Sequence, residues 1–161
     1  MSNPYRPELK LSKTKLERIF DLVGIGVFLL SLIFALINWP QLPDKIPGHF
    51  NALGEVDRWG SKYEIIILPI IGLFIFTLMT FFEKAPHMHN YPKRLNESNV
   101  EQFYLNSRMI LNMTKNSCLI IFGLLIVQVI RVAKGEIESL GGWVSSNVPF
   151  TSIYSVNFRF I

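Results

Sequence analysis

His49, Asp44 and Asp57 are the residues of this sequence whose types come nearest to a chemical site. One imidazole and two carboxylates on a short stretch can ligate a cation. Their spacing is not that of a compact metal site, and aspartates beside prolines and glycines cap turns as readily as they bind ions. His87 and His89 form a second pair, but they belong to a different connection, on the opposite side of the membrane in the topology derived below. The sequence shows no nucleophile–base pair, no glycine-rich phosphate loop and no zinc-peptidase helix. It therefore predicts no catalytic residue, no metal and no cofactor. What remains is a recognition surface on one loop, formed by Pro43, Asp44, Pro47, His49, Phe50, Asn51, Gly54, Asp57, Trp59 and Lys62.

The elements that must position this loop are apolar. Half of the 161 residues are hydrophobic, and they are gathered into blocks. A bilayer core about 30 Å thick is crossed by roughly 20 apolar helical residues. Three stretches reach that length, at about 20–39, 64–82 and 113–132, so the chain reads as an all-α integral membrane protein. Between Leu22 and Ile37 there are twelve Leu, Ile, Val or Phe residues and no charge. That run is longer than a signal-peptide core and lacks a small-x-small cleavage site, so it is expected to remain as the first span. Gly24, Ser31 and Ala35 fall on one face of it and predict close approach of another helix.

Pro69 sits early in the second span, where a missing N–H costs little. The second connection contains Pro86, His87, His89 and Pro92, and then a helix start in which Ser98 precedes Glu101 by three residues. From Val100 the apolar spacing predicts an amphipathic helix lying at the interface and running into the third span. Gln128, inside that span, is expected to meet another helix or the interface. Residues 1–17 read as a basic arm, and 18–140 as the membrane domain. Residues 141–161 form an atypical tail, too polar for a confident fourth span; Tyr154, Val156, Phe158 and Phe160 alternate in it with polar residues as in a strand.

The formal charge is +4. Arg6, Lys10, Lys13, Lys15, Arg18, Lys84, Lys93, Arg94, Arg108 and Lys115 lie on the side of the N-terminus, and six basic residues lie on the other. By the positive-inside rule the N-terminus is cytoplasmic, the protein is in the plasma membrane and the first loop faces outside. The charge is thus a matter of orientation, with no nucleic-acid partner implied. The single cysteine, Cys118, makes no internal disulfide. Within the loop, Pro43 and Pro47 stiffen the backbone, Asn51 to Gly54 is a turn, and a hairpin of roughly 47–51 against 56–60 is expected. Trp39 and Trp59 suit the interfacial aromatic belt.

The motif Leu42-Pro43-Asp44-x-Ile46-Pro47-x-His49-Phe50-Asn51, with Gly54, Asp57 and Trp59-Gly60-Ser61-Lys62, resembles the signature of the bacterial family known as domain of unknown function 1648. That domain also forms the N-terminal part of SdpI-type immunity proteins. The resemblance runs over roughly 18–140, and the C-terminal half of SdpI-type proteins has no counterpart here. It implies a small immunity or sensor protein whose outer loop meets a peptide or toxin, or another membrane protein. The alternatives are an accessory or structural subunit of a membrane transport complex, or a transporter component built as an oligomer. The transporter reading finds only Asn116, Gln128 and a few hydroxyl residues in the spans.

Overall fold

The structure is a computed structural model and describes residues 6–140. The expectations for the tail at 141–161 lie outside the described residues. Helix α1 (Lys15–Asn38) starts earlier than the apolar run, because Thr14 and Glu17 cap it reciprocally. Thr14 Oγ1 accepts from the Glu17 N–H, and Glu17 Oε2 accepts from the Thr14 N–H at 2.6 Å. Pro40 stops α1, in a short 3-10 turn over Trp39–Gln41. A two-stranded antiparallel sheet follows, β1 (Lys45–Phe50) and β2 (Val56–Ser61). It falls where the proline, asparagine and glycine pattern puts a hairpin, with β1 beginning two residues sooner. Ile46 pairs with Gly60 and Pro47 with Trp59, and the register slips around Gly48.

A second reciprocal cap, Ser61 with Glu64, opens a 3-10 turn over Lys62–Ile66 that leads into helix α2 (Ile67–Lys84). Pro69 is its third residue, where the helix needs no N–H. Helix α3 (Val100–Ala133) is continuous for 34 residues, about 51 Å at 1.5 Å per residue. This corrects two expectations. The amphipathic stretch does run into the third span, but as the first part of α3 and not as an element before it. Ser98 does not cap it: Asn99 is at the cap position without a capping side-chain bond, and the Ser98 hydroxyl donates to Asn96 Oδ1 instead.

α1 and α2 each pack mainly along α3. All three are long and apolar enough to cross a membrane. Leu22, Leu30 and Leu36 on α1 and Phe74 on α2 are each about two-thirds or more exposed. A shell of that kind suits lipid, not water. The buried seam of α3 contains Tyr104, Arg108, Asn112, Lys115, Asn116, Leu119, Gly123, Ile126 and Ile130. It is polar up to Asn116 and apolar from Leu119 onward. The apolar half carries the core, where Phe28, Leu119, Ile126, Val129 and Ile130 meet Ile65 and the loop residues Leu42 and Ile46. Full burial of a side chain such as Ile46 contributes on the order of 1.5–3 kcal/mol, which ties the hairpin to the helix ends.

Candidate functional site

The hairpin gathers the loop residues singled out above. Asn51 organises its turn: Oδ1 accepts from the N–H groups of Leu53 and Glu55 at 2.9 and 3.0 Å, and Nδ2 donates to Glu55. Gly54 closes the turn at φ 80°, a conformation that favours glycine. Its carbonyl accepts from Leu140 N–H at 2.8 Å. Arg58 bridges the strands by donating to the Gly48 carbonyl at 2.7 Å and to Glu64 at 2.9 Å. Gly48 leaves room for this guanidinium, since a Cβ there would stand 2.7 Å from Arg58 Nη2.

His49 Nδ1 lies 2.7 Å from Asp57 Oδ1, and both side chains are exposed. Asp44 is not brought to that pair; it binds Lys62 Nζ at 3.0 Å. Pro43 and Trp59 are exposed, Pro47 is buried and Phe50 is half-buried. His49, Asp57 and Trp59 thus project from the hairpin, with His49 and Asp57 paired to each other across its strands. A groove of about 350 Å³ runs beside His49, lined by Pro47, Phe50, Arg58, Leu68, Leu125 and Val129 among others.

At the other end of the spans, the helices enclose charge that the sequence reading treated as flanking residues. Arg108 Nε and Nη2 donate to Glu17 at 2.8 and 2.9 Å, and the same guanidinium donates to the carbonyls of Leu11 and Ser12. The N-terminal arm is thereby strapped to α3. One turn and more deeper, Lys115 Nζ binds Glu83 and lies 3.1 Å from Asp21 Oδ1. It also stands 4.9 Å from the Phe76 ring centroid. Lys13 reaches Asp21 and Glu83, at 2.5 and 3.2 Å. Asn112 and Asn116 each donate to Asp21 Oδ1 at 2.9 Å. Three carboxylates and three cations therefore balance.

Glu17, Glu83, Arg108, Lys115, Asn112 and Asn116 are all buried. Burial lowers the pKa of Lys13, but hydrogen bonds to Asp21 and Glu83 outweigh it, and its pKa lies above the usual 10.5.

The face expected from Gly24, Ser31 and Ala35 is turned towards α3. A Cβ on Gly24 would lie 2.5 Å from Asn116 Oδ1, so only glycine leaves space for that carboxamide. Gly123 of α3 faces Ser31. Ala35 borders the core. Gln128 makes no interhelical bond through Oε1, which has no partner among the described residues. His87 and His89 belong to the second connection, where His89 bridges Ser107 and the Phe82 carbonyl at 2.6 and 2.8 Å. The charged cluster did leave a sequence signal. Glu17 and Asp21 are four apart on α1, and Arg108, Asn112, Lys115 and Asn116 follow helical spacing on α3.

Residues 26–73 match the family model described as domain of unknown function DUF1648. The match runs from the middle of α1, through the hairpin, to the first turns of α2; the charged cluster lies outside it. An uncharacterized protein of Archaeoglobus fulgidus is 34% identical over 84 residues, which is 51% of this chain and 44% of that relative. The chain therefore spans less than half the length of the relative it matches. No solved structure matches.

Proposed function

We propose that this chain is a non-enzymatic plasma-membrane protein of the immunity or sensor type, with its N-terminus in the cytoplasm and its hairpin outside the cell. The hairpin recognises an extracellular peptide or toxin, or another membrane protein. One observation carries the reading: His49, Asp57 and Trp59 stay exposed on a hairpin whose turn, strand bridge and anchoring use Asn51, Arg58 and Ile46. Exposed aromatic and charged groups on a rigid frame lose little entropy when a partner binds. The likeness of the loop motif to SdpI-type immunity proteins supports the same reading.

The test has two arms. In a Cys118→Ser background, Leu53→Cys should react with a membrane-impermeant maleimide in intact cells. His49→Ala and Trp59→Ala should accumulate and melt as the parent does, yet lose protection against a secreted toxin. Labelling only after permeabilisation would sink the orientation. A melting temperature lowered by Trp59→Ala as much as by Ile46→Ala would make the loop merely structural.

A second reading, an accessory or structural subunit of a membrane transport complex, is favoured by an apolar groove of about 230 Å³ among Leu32, Leu36, Trp39, Ile66, Pro69 and Ile126. Another membrane helix could lie there. A stoichiometric partner after purification in mild detergent would decide for it.

A further inference from the structure

The hairpin reading leaves unused a cavity of about 340 Å³ at the arm end. Its walls include Glu8, Lys10 and Lys13 from the arm, Lys84 at the end of α2, His87 after it, and Arg108 from α3. At about 30 Å³ per water, it has room for roughly eleven waters.

Its charge is unbalanced. Lys13 and Arg108 are spent on Asp21, Glu83 and Glu17. Lys10 and Lys84 have no carboxylate partner among the described residues, whereas the exposed Glu8 approaches His87 Nε2 at 3.8 Å. Two uncommitted ammonium groups therefore border one cavity. Its depth is set by α2: Lys84 is the last residue of a span, and Phe81 and Phe82 just before it are exposed on the apolar shell. The cavity opens at the level where lipid headgroups lie.

We propose that this cavity binds the headgroup of an anionic phospholipid, with Lys10 and Lys84 on the phosphodiester. A basic recess at the end of a span suits such a headgroup. A zwitterionic headgroup carries its own ammonium, which the two lysines disfavour. The inference does not depend on which side of the membrane the arm occupies.

The test titrates the full chain, in neutral detergent, with short-chain phosphatidylglycerol, short-chain phosphatidylcholine or inorganic phosphate, and counts retained lipid by native mass spectrometry. Phosphatidylglycerol should bind selectively. At about 1 kcal/mol per lysine, Lys10→Gln with Lys84→Gln should weaken it by roughly 30-fold (about 2 kcal/mol). Lys15→Gln with Arg18→Gln removes the same charge elsewhere on that end of α1 and should change affinity less than threefold. Equal loss in the two double variants means diffuse surface attraction and overturns the site. Phosphate binding as tight as phosphatidylglycerol overturns the lipid, as does equal affinity for phosphatidylcholine. Should the Lys10/Lys84 variant fail to fold, the parent's preference between the two lipids, and the loss in the single Lys10→Gln variant, still decide.

Discussion

Replacing Lys115 by methionine tests the buried charge cluster most directly. Asp21 and the helix end at Asn38 bound an uncharged length of α1 of about 25 Å, and Lys115 and Arg131 one of about 24 Å on α3, at 1.5 Å per residue. Both lengths are slightly less than the bilayer's hydrocarbon thickness of about 30 Å. Spans of those lengths would place Lys115 and Asp21 just inside the hydrocarbon edge, and Lys115 is 1% exposed. Lys115→Met leaves three carboxylates facing two cations, and breaking a buried pair on one side costs about 3–5 kcal/mol. Glu83→Met leaves the opposite excess and should cost about as much. In the double variant Asp21 keeps Lys13 and Glu17 keeps Arg108, so neutrality returns. Replacement of a whole buried pair by apolar residues is often neutral or stabilising by about 1–4 kcal/mol. The double variant should therefore match or exceed the parent, with a coupling energy above about 3 kcal/mol in the cycle. Reversible unfolding in mixed detergent micelles, followed by tryptophan fluorescence, measures all four proteins. Additive single effects, or a cost below about 1 kcal/mol for Lys115→Met, would mean that water reaches the lysine as at a surface pair, and the cluster would lose its meaning.

Gly24→Ala places a methyl group 2.5 Å from Asn116 Oδ1 and should destabilise by about 1–3 kcal/mol. Gly26→Ala meets nothing within 4 Å and should be neutral or slightly stabilising in the same unfolding assay. Arg108→Lys keeps the charge but loses the fork that holds Glu17 and the Leu11 and Ser12 carbonyls together; limited trypsin digestion should then cut after Lys10 and Lys13 several-fold faster, with the helices intact. Because the pKa of Lys13 is raised in the folded protein, its stabilising charge is fully present below about 10.5 and is lost as pH climbs through the higher folded value. Melting temperatures should show a step above pH 10.5 in the parent that Lys13→Gln lacks.

The spans were legible because lipid demands length and hydrocarbon, and no tertiary contact is needed to see a run such as Leu22 to Ile37. The hairpin was legible because Pro47, Asn51 and Gly54 impose local backbone geometry. The cluster was not. Glu17, Asp21 and Glu83 sit at span ends, where single charges normally snorkel, and Arg108 and Lys115 served only to count orientation. Their meaning is in pairings such as Arg108 with Glu17, 91 residues apart, which no local rule contains. The start of α3 misled for a related reason. Ser98-x-x-Glu101 has the form of a capping box, but Asn96 captures the Ser98 hydroxyl and its N–H first, so the box never forms.

Both sites rest on α3, and its seam separates them. Polar residues up to Asn116 hold the arm, and the row Leu119, Ile126, Ile130 holds Leu42 and Ile46 under the hairpin. Leu119 to Ile130 covers about 16 Å of helix with, among the described residues, no hydrogen-bonded pair between elements that could relay a charge change. Apolar packing transmits displacement when side chains repack, not when a distant ion pair is neutralised. The two ends should therefore behave independently. Arg108→Gln, which removes the strap on the Leu11 and Ser12 carbonyls, should release the arm, seen as faster cleavage there, while a Leu53→Cys probe on the hairpin keeps its reactivity. Matching changes at both ends would show that α3 shifts as a rigid body and that the arm end controls the hairpin.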